Sequence, residues 1–213
     1  MTHFIKTTFL FCIFSLLLMG LQQHKNEPTS DEWISLFDGK TLNGWKASEH
    51  PETFSVSKGK ITVHGDRAHL FYLGSVNNHN FDDFAFKADV KTTKGSNSGI
   101  YFHTEYQETG WPSKGFEVQI NNSYEGDYRR TASLYGIENI KESPAEDSEW
   151  FTIYIKVVDK KVTIKVNGTT VNTYNEPENL KPDAKSLSSG TFALQGHDPD
   201  SKVFYKNIMV KPL

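Results

Sequence analysis

Apolar and polar side chains alternate along most of this chain in short runs, without the three-to-four-residue recurrence of a helix. Phe84, Phe86, Ala88 and Val90 interleave with Ala85, Lys87, Asp89 and Lys91, and Phe151, Ile153, Ile155 and Val157 interleave with their neighbours in the same way. Successive side chains of a strand point to opposite faces, so each run predicts a half-buried antiparallel strand, over Asp83 to Lys91 and Trp150 to Val158. Further strand signals fall at Thr53 to Val56, Lys60 to His64, His69 to Tyr72, Ile100 to Glu105, Phe116 to Ile120 and Ser133 to Tyr135. The series continues at Lys161 to Val166, Thr170 to Tyr174, Gly190 to Leu194 and Lys202 to Val210. Asn167-Gly168, between two such runs, tolerates the positive φ of a type I′ turn and predicts a hairpin; Asp159-Lys160 is a second, weaker hairpin signal. No segment carries sustained helical periodicity with caps, and Pro177 to Lys185 holds at most one short helix. Many short strands separated by turns predict an all-β sandwich, a single domain from Trp33 to Leu213. One core is expected to contain Phe86, Phe102, Val118, Ile153, Ile164 and Leu194.

Four segments carry chemistry on one face: Gly99 to Glu105, Gly115 to Asn121, Ser133 to Gly136 and Thr191 to His197. Alternation sets Phe116, Val118 and Ile120 against Glu117, Gln119 and Asn121. It likewise sets Ile100 and Phe102 against Tyr101, His103 and Glu105, and Phe192 and Leu194 against Gln195 and His197. If these segments share a sheet, its open face is a polar cleft of carboxylate, amides, phenols and two histidines, a surface suited to sugars. Trp111, in the loop ETGWPSKG, and Tyr124 supply rings able to stack on sugar faces. Arg129 and Arg130 either reach a substrate or only solubilise their loop. The turn Asp38-Gly39-Lys40 with Trp45 beneath it reads as structural. His64, Asp66 and His69 form no recognised zinc spacing, and a turn between two strands accounts for them.

The chain has 213 residues and a net charge of -3, so it can bury a full core but offers no basic footprint for nucleic acid. Lys6 precedes an apolar stretch, Phe9 to Leu21, that is shorter than the roughly 20 residues of a membrane-spanning helix. Residues 1–23 are therefore expected to be a secretory signal peptide, 24–32 a linker and 33–213 the domain, with an uncleaved anchor as the competing reading. Export to the periplasm, cell surface or exterior would follow, with no membrane span after processing. The lone cysteine, Cys12, lies within the apolar stretch, so the processed protein would have neither disulfides nor thiolate chemistry.

Several segments, in order, resemble the 3-keto-disaccharide hydrolase domain family of secreted bacterial proteins: SLFDGKTLNGW (Ser35 to Trp45), NSGIYFH (Asn97 to His103), GFEVQI (Gly115 to Ile120) and SLYG (Ser133 to Gly136). EWFTIYIKV (Glu149 to Val157), the VNG hairpin (Val166 to Gly168) and FALQGHDPDSKVFYKNIMV (Phe192 to Val210) continue the likeness to near the C-terminus. The resemblance implies a concanavalin-like jelly-roll β-sandwich of two curved antiparallel sheets with a sugar-binding concave side. Two departures stand out. The family commonly has arginine where this chain has His103, and Thr-Gly-Ala where it has Thr131-Ala132-Ser133. A guanidinium is always charged and a histidine titrates near neutrality, so a difference in substrate preference, or even in the reaction, stays open here.

The resemblance also implies an enzyme that cleaves glycosides already oxidised at carbon 3. The ketone acidifies the hydrogen at carbon 2, a base removes it, and the enolate expels the anomeric substituent; water can then add to complete a net hydrolysis. Glu117 and His197 are the expected pair that moves protons or ligates a catalytic metal, and a divalent cation acting as a Lewis acid stays open. His103, Gln119, Tyr135, Gln195 and Trp111 are the expected substrate-binding residues. Two alternatives remain: a non-catalytic carbohydrate-binding module of the same fold, and a two-carboxylate glycosidase pairing Glu117 with Glu105.

Overall fold

The structure, a computed structural model, describes residue 1, residues 32–181, residue 183 and residues 185–213. Residues 2–23 of the expected signal peptide and all of the expected linker but residue 32 lie outside the described residues. From Ile34 the described residues form thirteen strands. In order they are β1 (Ile34–Ser35), β2 (Trp45–Ala47), β3 (Phe54–Ser57), β4 (Lys60–Val63), β5 (Ala68–Tyr72), β6 (Phe84–Thr92) and β7 (Ser98–Thr104). Then follow β8 (Phe116–Ile120), β9 (Phe151–Val158), β10 (Lys161–Val166), β11 (Thr169–Asn175), β12 (Thr191–Gly196) and β13 (Val203–Pro212). The two shortest, β1 and β2, have no alternation long enough to announce them. The described residues between Pro177 and Lys185 make turns and no helix.

Two antiparallel sheets result. One has the order β11-β10-β9-β6-β13-β4-β3, with β1 also on β13; the other has the order β2-β5-β12-β7-β8. Both expected hairpins form: Asn167 and Gly168 have φ 49° and 82°, and Asp159 and Lys160 have φ 48° and 62°. The apolar faces of the two sheets meet in one core, which contains Phe86, Phe102, Val118, Ile153, Ile164 and Leu194 as expected. Phe192 sits among Phe81, Phe84 and Phe86, with ring centroids 4.8, 4.9 and 4.8 Å away. Each such buried side chain contributes about 1.5–3 kcal/mol relative to exposure.

The smaller sheet departs from the open face that alternation suggests. β5, β7, β8 and β12 are buried along their whole lengths, on both faces. Loops cover the polar face: Tyr106 packs on Phe71 and Trp111 on His69. Ser133 to Tyr135 runs along β8, with Ala132 N donating to Gln119 O, Gln119 N to Ser133 O, and Tyr135 N to Glu117 O. Ala132, where the resembled family has glycine, has φ 72°, a conformation that glycine adopts without steric cost.

Candidate active site

Glu117 and Gln119 project from β8 onto the covered polar face, as their alternation with Phe116, Val118 and Ile120 requires. Register assembles the rest. Tyr101 of β7 pairs with Glu117, Gly99 pairs with Gln119, and Gln195 of β12 pairs with His69 of β5. Tyr101 Oη donates to Glu117 Oε2 at 2.7 Å, and Gln195 Nε2 donates to Oε1 at 2.7 Å. Burial nevertheless dominates: it raises the carboxyl from 4.5 to about 7, with the two hydrogen bonds opposing it. Burial, reinforced by the neighbouring carboxylate, also holds the Tyr101 phenol well above its ordinary value, so it stays a donor.

Two acceptors in this site lack a partner. Gln119 donates through Nε2 to Asn97 Oδ1 at 2.6 Å, yet its Oε1 is buried and unpaired, and so is Oε1 of Gln195. A buried acceptor without a donor is costly, and the hydroxyls of a bound sugar would satisfy both. His69 is more isolated. Its ring is fully buried 5.4 Å from Tyr101 and 5.5 Å from Trp111, and neither nitrogen has a partner. Burial lowers its pKa to about 4, so the ring is neutral near neutrality.

His197 follows β12 directly. Its Nδ1 lies 2.6 Å from Asp198 Oδ2, and its ring lies between Trp111 and Tyr124, at 5.5 and 5.6 Å. Asp198 also accepts from the amides of Asp200 and Ser201 and from Ser201 Oγ. Burial raises its pKa, but the bonds from His197 and Ser201 outweigh that and hold it below the ordinary aspartate value. The bond to Asp198 fixes the orientation of the His197 ring at the cavity wall, as a positioned acid or base requires.

Glu117, Gln119, Gln195 and His197 line one cavity of about 310 Å³ with Asn97, Tyr101, Trp111, Pro112, Asp127, Tyr135 and Lys185; Asp198 reaches it only through its bond to His197, and His69 lies behind Tyr101 and Trp111. Glu117, Gln119, Gln195, His197, Trp111 and Tyr135 are therefore brought together as expected. Trp111, still 44% exposed, forms a wall. Its loop is tied down by Gln107, which bonds Thr109 O, Trp111 O and Ser113 N, and by Glu49, which accepts from Gly110 N and Arg67. Tyr135 lies on the rim with the Arg129 guanidinium 4.3 Å from its ring centroid. Arg130 instead stitches its own loop, donating to the carbonyls of Tyr124 and Asp127.

His103 lies elsewhere. Its φ of 54°, beside a register shift between β7 and β12, breaks the alternation and carries the ring away from the face of Tyr101. There it packs on Phe84 and Phe102, with Nε2 2.8 Å from Asp82 O and Nδ1 accepting from Ser188 N at 3.2 Å. Both nitrogens are occupied, and burial lowers its pKa. The substrate-binding role expected for His103 thus has no support in its position. Glu105 is also remote from the cavity, exposed and 3.5 Å from Lys114, so it makes no carboxylate dyad with Glu117. Asp38 bonds the backbone of Lys40 and Thr41, and Trp45 Nε1 donates to Leu36 O, a structural turn as expected. His64 turns to Ser201 O, apart from His69. Among the described residues no three His, Cys, Asp or Glu side chains gather as a metal centre would require.

Asp198, His69, Asn97 and Lys185 were not legible as site residues. Tyr101 was placed on the polar face by alternation but with no role.

Over residues 32–211 the chain matches the family described as a 3-keto-alpha-glucoside-1,2-lyase-like domain. It is 31% identical to the 3-keto-disaccharide hydrolase of Bacteroides thetaiotaomicron, across 86% of this chain and 79% of that protein. Among solved structures, it resembles a Parabacteroides distasonis protein provisionally named a glycosyl hydrolase, with TM-score 0.69 and 23% identity over 85% of this chain and 94% of that one. The carbohydrate-binding module CBM66 of Bacillus subtilis shares the fold at TM-score 0.57 and 12% identity, over 79% of this chain and 95% of the module.

Proposed function

The chain belongs to the 3-keto-alpha-glucoside-1,2-lyase-like family, and on that premise we propose that it cleaves 3-keto-glycosides by proton abstraction at carbon 2 and elimination of the anomeric substituent. The observation that carries this reading is the convergence of Glu117 and the His197–Asp198 pair on one sugar-sized cavity. A binding module needs stacking rings and hydrogen bonds, but gains nothing from a carboxyl held near pKa 7.

The steps follow from the groups present. The Glu117 carboxylate takes the proton from carbon 2, and the C–H electron pair forms the enolate of the 3-ketone. Asn97, whose Oδ1 is occupied by Gln119, and the Lys185 ammonium are the donors lining the cavity for that oxygen. Collapse of the enolate breaks the bond from carbon 1 to the glycosidic oxygen. His197, held in place by its bond to Asp198, returns a proton to the departing oxygen. Addition of water across the resulting enone, carbon 1 taking the hydroxyl and carbon 2 the proton, completes a net hydrolysis. A positioned base or acid contributes about 10²–10⁴ in rate. Unpaired acceptors on Gln119 and Gln195 hold sugar hydroxyls, and Trp111 covers an apolar sugar face.

Export forms part of the proposal, resting on Lys6 and the apolar run Phe9 to Leu21. The decisive experiment offers the protein a 3-keto-glucoside with a chromogenic aglycone beside the unoxidised glucoside, with and without chelator. Release from the keto compound alone supports the elimination; equal release from both points to an ordinary glycosidase, and none from either to a binding module.

A further inference from the structure

We propose that the outer face of the larger sheet is a second binding surface, one that takes an acidic polysaccharide. The chain carries a net charge of -3, yet this face is basic. Inward positions of β6, β9, β10 and β13 fill the core, so the alternate positions face away from it. Those positions include Lys87, Lys91, Lys156, Lys165 and Lys206, joined by Lys60 on β4. Asp89 is the one carboxylate among the described outward residues of these strands. Thr152 Oγ1 and Asn207 Nδ2 occupy its two oxygens at 2.7 Å each, so it is held by neutral groups and not by a lysine. Among the described residues, the lysine–carboxylate pairs are Lys114 with Glu105 and Lys160 with Glu176, both away from this array.

Aromatic rings hold the ammonium groups in place. Lys87 Nζ lies 4.2 Å from the Trp33 ring centroid, Lys206 Nζ 4.1 Å and Lys91 Nζ 5.2 Å from that of Trp150. Lys91 and Lys60 approach Phe204 at 5.4 and 5.5 Å, and Lys165 approaches Tyr154 at 5.6 Å. Register interleaves cations and rings across the sheet: Lys165 faces Tyr154, which faces Lys87, and Lys91 faces Phe204. Neighbouring strands stand about 4.8 Å apart, so Lys165 and Lys87, two strands apart in one row, set their backbone positions about 10 Å apart across the sheet.

The charge selects the ligand class. Nearly uncompensated ammonium groups fit a chain with regularly spaced carboxylates or sulfates, while hydroxyls of Thr62, Thr152 and Thr163 lie among them for sugar hydroxyls. Rings already topped by lysine are poorly placed to stack nucleobases or enter a lipid layer, which favours a glycan over nucleic acid or membrane. The surface lies across the core from the cavity of Glu117, so binding here leaves the reaction untouched and would tether the protein to its glycan.

Affinity electrophoresis in gels containing alginate, with neutral dextran as control, tests this. The expected result is retardation by alginate alone, lost as salt rises from low to physiological strength. The triple variant Lys87→Glu, Lys91→Glu, Lys206→Glu should bind about tenfold or more weakly. Lys→Arg at the same positions should keep binding, and thermal melts verify that both variants fold. Aglycone release from a small keto-glucoside, where present in the parent, should be unchanged in both, so failure of either proposal is seen separately. No retardation by alginate at low salt, equal retardation by dextran, or preferential binding to single-stranded DNA or phosphatidylglycerol vesicles would overturn the proposal.

Discussion

The carboxyl of Glu117 occupies the space that any side chain on Gly99 would fill. A Cβ at Gly99 would overlap Glu117 Oε1 and lie 2.8 Å from its Cγ. The absence of a side chain on β7 therefore lets a carboxyl lie flat on the sheet between Tyr101 and Gln195. Gly99→Ala should displace it, and misplacing a catalytic group by about 1 Å costs about 10² in rate. Turnover is expected to fall by that factor, with the acid limb of the pH profile moving towards the ordinary glutamate value as the carboxyl regains water. An unchanged profile in a folded variant would count against this positioning role.

Glu117→Gln keeps the size of the side chain and removes its charge. Turnover should fall by about 10²–10⁴, with a smaller change in affinity, because proton transfer matters in the transition state. In the parent enzyme, activity should rise with pH through about 7, where the buried carboxyl loses its proton. Near-parental release by the variant would falsify the assignment of Glu117 as the base.

Asp198→Asn preserves the shape around His197 but removes the carboxylate bonded to its Nδ1. The turnover it loses should largely repeat that lost by His197→Ala, and the double variant should lose little more than His197→Ala alone. Steady-state kinetics on the three proteins check this. Fully additive losses would mean that Asp198 acts apart from His197.

Two buried groups of this site should tilt the stability of the protein in opposite directions with pH. Glu117 has a folded pKa of about 7 against 4.5 unfolded, so the folded state binds more protons in that window and stability falls as pH rises through it. His69 has a folded pKa of about 4 against 6.5 unfolded, so the unfolded state binds more protons and stability is lost as pH falls from 6.5 to 4. Each effect is up to about 3 kcal/mol. Melting curves between pH 4 and 8 should show Glu117→Gln relieving the loss on the alkaline side and His69→Phe the loss on the acid side.

The placement of Glu117 and Gln119 was legible because β8 is regular: no bulge interrupts the alternation that puts both on one face. His103 was not, because one residue at φ 54° sends a side chain to the opposite side, and nothing in NSGIYFH marks that turn. The pairing of His69 with Gln195 joins β5 to a strand more than a hundred residues later, a relation that local periodicity does not carry. Asp198 was visible only as part of a turn; its bond to His197 depends on how that turn closes through Ser201. Alternation also described the sheet face as open, since loops with no periodic signature cover it.

The strip from Ala132 to Tyr135 has a consequence beyond the rim of the cavity. Without it, β8 would end the smaller sheet with a row of unsatisfied amides and carbonyls, the kind of margin along which proteins add strands from other copies and aggregate. Its protection comes from main-chain bonds to Glu117 and Gln119, which do not depend on the side chains at Ser133 or Tyr135. The Tyr135 side chain, which faces the cavity, can thus vary while the backbone of the same few residues keeps this edge of the sheet covered.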